Sequence, residues 1–299
     1  MKRPLVTVVG PTATGKSDLA IALCRRMGGE IVNGDALQLY RGMDIGTAKL
    51  PLEERGGITH HLVDVLDIAE ESSVSGFQHL ARRAIEDIEA RSRRPVLVGG
   101  SGLYVRAVTD DIRFPGTDPG VRARLEAEAE SQGAASLHSR LRALDPPAAD
   151  KIAPGDTRRI VRALEVIEIT GSPFTAHLPD YTYVRPTVQI GLVLDRGVLH
   201  RRIEDRVHRM WDAGWVDEVV GLRSAGLHAS STAGQAIGYA EIMAHLDGTM
   251  TREDAIDRTI IRTRQFAKRQ ETWFRRDPRI HLLSADSPDL VERALSLTP

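Results

Sequence analysis

Leu5-Val6-Thr7-Val8-Val9, followed at once by Gly10-Pro11-Thr12-Ala13-Thr14-Gly15-Lys16-Ser17 and a helical pattern from Ser17 to Met27, decides the fold of this chain. The opening run is continuous and β-branched, the signature of a strand buried on both faces of a parallel sheet. The next eight residues fit GxxxxGK(S/T), directly after a strand and directly before a helix, which is the setting a phosphate-binding loop requires. In that setting backbone amides and the helix N-terminus hold phosphate oxygens. Lys16 adds a point charge, and the Ser17 hydroxyl can ligate Mg²⁺. Cys24 falls on the apolar side of the helix with Ala20, Leu23 and Met27, so it reads as packing rather than redox chemistry.

Working outward, the strand-then-helix pattern recurs. Ile31-Val32, Leu62 to Leu66, Val96-Leu97-Val98, Val188 to Leu194 and Ile280 to Leu283 all read as strands. The predicted fold class is α/β, a P-loop NTPase-like parallel sheet flanked by helices, with ligands beyond the carboxyl ends of the strands. From about Thr117 to Arg185 the texture changes to helical patterns at Val121 to Gln132, Ser136 to Leu144 and Asp156 to Thr170. Turn signals stand at Pro146-Pro147 and Gly171-Ser172-Pro173. These features predict a first part of the core at residues 1–116, a helical insertion domain at 117–185, and the second part of the core at 186–299.

The chain has 299 residues, with 40 Lys plus Arg against 41 Asp plus Glu, which excludes a wholesale polycation. With 41% hydrophobic and 27% charged residues it has the material for a packed core. One cysteine allows no internal disulfide, and the run from Leu5 to Val9 is too short for a signal segment or a membrane span. The expectation is a soluble, cytoplasmic protein with no membrane association and no obligate protein partner.

A phosphate loop alone leaves several chemistries open. An NTPase or kinase commonly carries an acid at the end of a hydrophobic strand. Asp64 inside the Leu62 to Leu66 run fits that role, or is simply an acid on a half-exposed strand. Val96 to Val98 ends instead in Gly99-Gly100-Ser101-Gly102. His60 and His61 are adjacent and point opposite ways if extended, which suits capping or core packing better than a shared metal. Asp35, in Asn33-Gly34-Asp35-Ala36-Leu37-Gln38, follows a strand and so belongs on the same rim as the phosphate loop. A carboxylate there can take a proton from a nucleophile, and Gln38 can donate to and accept from a base edge. Asp after Gly is equally an ordinary turn former.

Charge is clustered although the total is near zero. Residues 256–279 hold Arg258, Arg262, Arg264, Lys268, Arg269, Arg275, Arg276 and Arg279 against Asp257, Glu271 and Asp277. On one helix, Arg258, Arg262, Arg269 and Arg276 share a face opposite Ile256, Ile260, Ala267 and Phe274. Arg158, Arg159 and Arg162 follow the predicted N-cap Asp156, while Arg201, Arg202, Arg206 and Arg209 run beside Leu199, Ile203, Val207 and Met210. Such stripes are either solvated surface or a footprint for nucleic acid. On the second reading, Arg262→Ala and Arg269→Ala weaken RNA binding. Trp211, Trp215 and Trp273 suit core packing better than base stacking. A small-molecule kinase and an RNA-binding ATPase both remain compatible with these features.

Taken together the motifs resemble the tRNA dimethylallyltransferases, also called tRNA isopentenyltransferases. The likeness runs over Gly10 to Ser17, Asp35 to Gln38 with Tyr40 to Lys49, Gly99 to Tyr104, Arg162-Ala163-Leu164-Glu165-Val166, Gln235 to Tyr239, and Ala267 to Gln270 with Thr272-Trp273. It implies transfer of a dimethylallyl group from its diphosphate to the exocyclic amino nitrogen of adenosine 37, in tRNAs reading codons that start with U, with Mg²⁺. By that resemblance Gly10, Pro11, Thr12, Ala13, Thr14, Gly15, Lys16 and Ser17 hold the diphosphate. Such loops also commonly take ATP. Asp35 is the general base, Ser101 contacts the diphosphate and the tRNA, and Arg206, with Arg202 as the alternative, stabilises the leaving group. The tRNA anticodon stem-loop is met by Asp35, Ala36, Leu37 and Gln38; by Arg122, Arg158, Arg159, Ile160, Val161 and Arg162; by Gln235, Ala236, Ile237, Gly238, Tyr239 and Ala240; and by Lys268 and Arg269. Ser101 stands where the family usually has Thr, and Thr14 and Ser17 stand where Ser and Thr are usual. Each change keeps the hydroxyl.

Overall fold

The computed structural model describes residues 3–174, 180–229 and 231–298. Its chain divides into a sheet unit, Met1–Asp111 with Tyr181–Pro299, and a helical unit, Ile112–Asp180. The sheet unit is built on β1 (Leu5–Val9), β2 (Gly29–Asn33), β3 (His60–His61), β4 (Arg94–Gly99), β5 (Thr187–Val193) and β6 (Ile280–Ser284). They lie in the order β3-β2-β4-β1-β5-β6, every pairing parallel. Alternate residues of the strands enter two cores, as a pleat with period two demands. Val6, Val8, Ile31, Val96 and Ile190 pack against Leu19, Ala20 and Leu23 of α1 (Lys16–Met27). On the other face Leu5, Val9, Val32 and Leu97 pack against Phe77, Ile85 and Ile88 of α2 (Val74–Ala90) and Val105 and Val108 of α3 (Gly102–Thr109). Cys24 is buried and its thiol is pushed up to about 12, chiefly by burial.

Both β1 and β4 end in glycine-rich loops, and they are neighbours although β2 and β3 intervene in sequence. That arrangement opens a crevice at their carboxyl ends.

The helical unit contains α4 (Pro119–Gln132), α5 (Ala134–Leu144), α6 (Pro146–Lys151) and α7 (Thr157–Thr170) around Leu125, Leu137, Leu141, Ile160 and Leu164. Pro146-Pro147, expected as a turn, opens α6 instead. Asp145 caps it by accepting from the Ala148 N–H at 3.1 Å, and prolines at the start of a helix forgo no hydrogen bond. The unit also begins and ends five residues earlier than expected, at 112 and 180 rather than 117 and 185. Tyr181 and Tyr183 belong to the sheet unit. Arg106 lies 4.5 Å over the Tyr181 ring and Arg279 4.0 Å over that of Tyr183. The Val184 N–H also donates to the Thr109 carbonyl at 2.8 Å. Of the turn expected at Gly171-Ser172-Pro173, Gly171 caps α7 in the left-handed conformation; residues 175–179 lie outside the described set.

The sheet unit continues through α8 (Arg196–Asp212), α9 (Trp215–Ser224), α10 (Tyr239–Leu246), α11 (Arg252–Arg275) and α12 (Leu290–Ser296). Leu62 to Leu66, expected as a strand, is an irregular loop after a two-residue β3. Leu62 and Asp64 adopt left-handed φ of 61° and 58°. The Asn33 side chain ties down the Leu62 carbonyl at 2.8 Å, and the N–H groups of Asp64 and Val65 turn to the carbonyls of Gln38 and Leu39. No helix among the described residues is long and apolar enough to cross a membrane.

Candidate active site

The loop after β1 is shaped by its own polar atoms. Gly10 has φ 141°, and a Cβ there would stand 2.7 Å from the Leu192 carbonyl oxygen, so only glycine fits. The Thr14 hydroxyl and the Lys16 ammonium both donate to the Pro11 carbonyl, at 2.8 and 2.6 Å. Gln270, buried on α11, accepts from the Thr12 N–H at 3.0 Å and donates to the Gly100 carbonyl at 2.9 Å, joining the β1 loop to the β4 loop. Gly15 caps α1 in the left-handed conformation, so the first-turn N–H groups of that helix, which lack intrahelical acceptors, finish the loop.

Asp35 stands across from this loop. Gly34 donates to the Val98 carbonyl at 2.7 Å, and a Cβ on it would come 3.0 Å from that oxygen, so the chain leaves β2 pressed against β4. Asp35 Oδ1 then accepts from the Leu37 N–H at 2.9 Å. Among the described residues nothing engages Oδ2. Gln38 follows, its Nε2 donating to the Thr47 carbonyl at 3.0 Å.

Lys16, Asp35, Gln38, Gly100, Arg206 and Gln270 line one cleft of about 830 Å³. Burial, and then the neighbouring Arg206, bring the Lys16 ammonium down to about 8, with Asp35 acting in the opposite direction. Arg206, on α8, donates to the Thr12 hydroxyl at 3.3 Å. Its guanidinium is likewise brought down by burial, while Asp35 raises it. The Asp35 carboxylate and the Lys16 and Arg206 cations thus share a partly desolvated space. Ile45, Val63, Met210 and Phe266 give the same cleft an apolar wall. Ser17 lines it too, exposed in the first turn of α1. A lone hydroxyl is a suitable protein donor for Mg²⁺ when diphosphate oxygens and waters fill the other positions. Ser101 caps α3 without a side-chain capping bond, next to Gly100.

The other expected contacts fall into distinct environments. Arg158, Arg159, Gln235, Lys268 and Arg269 are exposed; Ala36, Leu37, Ile237 and Ala240 are half-buried. Ile160 and Val161 on α7, Ala236, and Tyr239 at the start of α10 are buried core residues whose side chains turn inward. Gly238 is buried as well, with φ 90° and room for no more than hydrogen beside Trp215. Arg122 and Arg162 both bond the fully buried Glu165 at 2.8 Å. Burial raises that carboxyl, but the two guanidiniums and the Asp118 N–H together hold it below the usual range. Arg262 pairs with buried Glu241, and Arg258 approaches the same carboxylate at 3.8 Å. The basic face of α11 is therefore partly neutralised from within. Asp64 is bonded by Lys49 at 2.6 Å rather than offered to a metal, and His61 bonds Glu30 at 2.7 Å. All three tryptophans pack: Trp211 and Trp215 in one core, Trp273 against another.

Two residues went unassigned in the sequence. Gln270 sits in a quoted motif without a role, and Glu218 carries no motif at all. Glu218 accepts from the N–H groups of Asp44, Ile45 and Gly46 at 2.9, 2.6 and 3.2 Å and from the Tyr239 hydroxyl at 2.6 Å.

Residues 38–277 match the family model described as IPP transferase. The chain belongs to the IPP transferase family. The matched span begins just after Asp35, so the phosphate loop stands on its own geometry. Among similar proteins is the tRNA dimethylallyltransferase of Thermobifida fusca, 57% identical over 298 residues, covering 98% of this chain and 93% of that one. The tRNA dimethylallyltransferase of Streptomyces coelicolor is 56% identical, covering 98% and 95%. Of solved structures, the tRNA isopentenylpyrophosphate transferase of Bacillus halodurans superposes with a TM-score of 0.72 at 42% identity, covering 99% of this chain and 94% of that one. A eukaryotic dimethylallyltransferase described as acting on tRNA superposes with 0.84 at 30% identity, covering 99% and 77%. The mixed α/β fold with a parallel sheet is thus the fold of this transferase family.

Proposed function

We propose that this chain transfers the dimethylallyl group of dimethylallyl diphosphate to the exocyclic N6 of adenosine 37 in tRNAs that read codons starting with U, releasing diphosphate. The observation that carries this reading is the opening of Lys16, Arg206 and Asp35 into one cleft with an apolar wall. The first-turn amides of α1 and the Lys16 ammonium hold the diphosphate, and Arg206 lies beside it. The apolar wall suits the dimethylallyl chain. An adenine amino group is a weak nucleophile, so the rate depends on charge stabilisation as the C–O bond breaks and its electron pair moves onto the diphosphate. Fixed donors in a desolvated cleft supply that stabilisation without reorganising. As N6 bonds to the allylic carbon its proton passes to Asp35 Oδ2. Ser17 would hold Mg²⁺ together with the diphosphate, and the ion would supply Lewis-acid stabilisation of the leaving group.

The target base reaches this depth by leaving its stack, at a cost of a few kcal/mol that is least in a loop such as that of the anticodon stem-loop. Exposed Lys268 and Arg269, and Arg158 and Arg159 on the insertion, offer phosphate contacts. The enzyme acts in the cytoplasm, where that RNA is found. Incubation with dimethylallyl diphosphate, Mg²⁺ and unmodified tRNA, followed by mass analysis of the nucleosides, tests the proposal. N6-isopentenyladenosine is the expected product. Its absence beside an active control, or phosphorylation from ATP instead, refutes the assignment.

A further inference from the structure

The segment from Met43 to Lys49 forms the wall of the cleft beside Gln38, and its conformation is imposed from behind. Three successive backbone N–H groups, of Asp44, Ile45 and Gly46, converge on the single carboxylate of Glu218. Consecutive amides turned to one side form a concavity suited to an anion, and here a protein side chain fills it. The Tyr239 hydroxyl, donating to Glu218 at 2.6 Å, fixes the carboxylate from the other side. Gly46 is pressed against the indole of Trp215: a Cβ on it would lie 2.2 Å from Nε1. The far end of the segment is closed by Lys49, whose side chain is 4% exposed and bonds Asp44 and Asp64, each at 2.6 Å, and the Tyr40 carbonyl at 2.9 Å.

What this clamped segment presents to the cleft is a pair of carbonyls. Gln38 Nε2 donates to the Thr47 carbonyl at 3.0 Å and approaches that of Ala48 at 3.5 Å. Two carbonyls determine which end of the carboxamide is its NH₂, because an oxygen turned toward them would be repelled. Gln38 Oε1 is therefore the end left for a ligand, and among the described residues none engages it. An acceptor at that point takes a hydrogen bond from an exocyclic amino group, as on adenine. It rejects the carbonyl oxygen that guanine carries at the equivalent position.

We propose that Glu218 is a positioning residue for the acceptor RNA, holding residues 44–48 so that Gln38 faces the cleft with its oxygen and selects an amino-bearing base edge. The inference rests on the prenyl-transfer reading above and adds to it a determinant of base preference located behind the wall of the site.

The test is steady-state transfer to anticodon stem-loops by the wild type, Glu218→Gln, Glu218→Asp, Gln38→Ala and the Glu218→Gln, Gln38→Ala double variant. The RNAs carry either adenosine or guanosine at each position neighbouring the target. Glu218→Gln offers an NH₂ where backbone N–H donors need an oxygen, leaving the partly buried N–H groups of Ile45 or Gly46 unpaired. It is expected to lower kcat/KM for the stem-loop about 10- to 100-fold. KM for the donor stays at its wild-type value, and the melting temperature moves by no more than about 4 °C. The penalty for a guanosine neighbour shrinks in Glu218→Gln and Gln38→Ala alike, the double variant loses no more than the worse single one, and Glu218→Asp recovers part of the loss. Should Glu218→Gln fail to fold, Tyr239→Phe, which removes only the hydroxyl donor to the same carboxylate, shifts the same ratio less far. Losses that multiply in the double variant, or a guanosine penalty unchanged in Glu218→Gln, overturn the proposal while leaving the transferase reading intact. A wild type that transfers nothing overturns both.

Discussion

Asp35→Asn isolates the proton-accepting step with little structural disturbance. In the native chain Asp35 Oδ1 accepts from the Leu37 N–H at 2.9 Å, and the Asp35 N–H donates to Asn33 Oδ1 at 3.0 Å. Asparagine retains Oδ1, so both turn contacts survive and only Oδ2, the atom assigned to the adenine proton, is replaced by an NH₂. General-base catalysis contributes about 10²- to 10⁴-fold, or about 2.7–5.4 kcal/mol at 1.36 kcal/mol per decade. The loss is expected in kcat, with affinity for the tRNA changed less than about 3-fold, because the cations that meet phosphates are untouched. Single-turnover transfer from a preformed donor complex measures the chemical step, and filter binding of the stem-loop measures affinity. An Asp35→Asn enzyme whose single-turnover rate is within a few-fold of the wild type, or whose tRNA affinity falls as far as its rate, refutes the role given to this carboxylate.

The remaining expectations are shorter. Lys16, brought down to about 8 mainly by burial, carries its charge below that pH and loses it above. Competitive inhibition by inorganic diphosphate should therefore weaken as pH rises through about 8, and inhibition constants that are flat from pH 6.5 to 9 would contradict a charged Lys16 in the cradle. Arg262→Ala leaves buried Glu241 without its closest partner, so it should lower stability by about 1–2 kcal/mol while the salt dependence of tRNA binding hardly changes. Arg269→Ala, on an exposed side chain, should do the reverse, reducing the salt slope by about one counterion without moving the melting temperature. Gly100→Ala puts a Cβ 2.3 Å from Gln270 Nε2, which forces that carboxamide away from the Thr12 N–H. The expected result is a raised donor KM with the fold retained by circular dichroism.

Sequence and structure agree where the determinants are local. The β1 strand, its glycine loop and α1 are contiguous, and the rim position of Asp35 follows from one strand ending beside another. Several of the errors share a cause, a distant partner. Leu62 to Leu66 has the composition of a strand, yet Asn33, 29 residues away, captures the Leu62 carbonyl and turns the chain. Arg122 and Arg262 read as free cations because the buried glutamates they serve, Glu165 and Glu241, come together with them only in the folded chain, whereas Arg162 stands three residues before Glu165 on α7 and its pairing is local. Tyr181 and Tyr183 read as part of the insertion because their guanidinium partner Arg279 lies almost a hundred residues on. Glu218 was invisible for a different reason: three of its four partners are backbone N–H groups, which every residue but proline carries.

The central claim is that donor and acceptor meet between Lys16 and Asp35. Its most direct test is a rapid-quench experiment in which enzyme holding isotopically labelled dimethylallyl diphosphate is mixed with an unmodified anticodon stem-loop, in the wild type and in Lys16→Ala. The account predicts label on N6 of adenosine 37 in the wild type, and in Lys16→Ala a lost chemical step with stem-loop binding intact. Label that stays on the donor in the wild type, or a Lys16→Ala enzyme that transfers at the native rate, contradicts it.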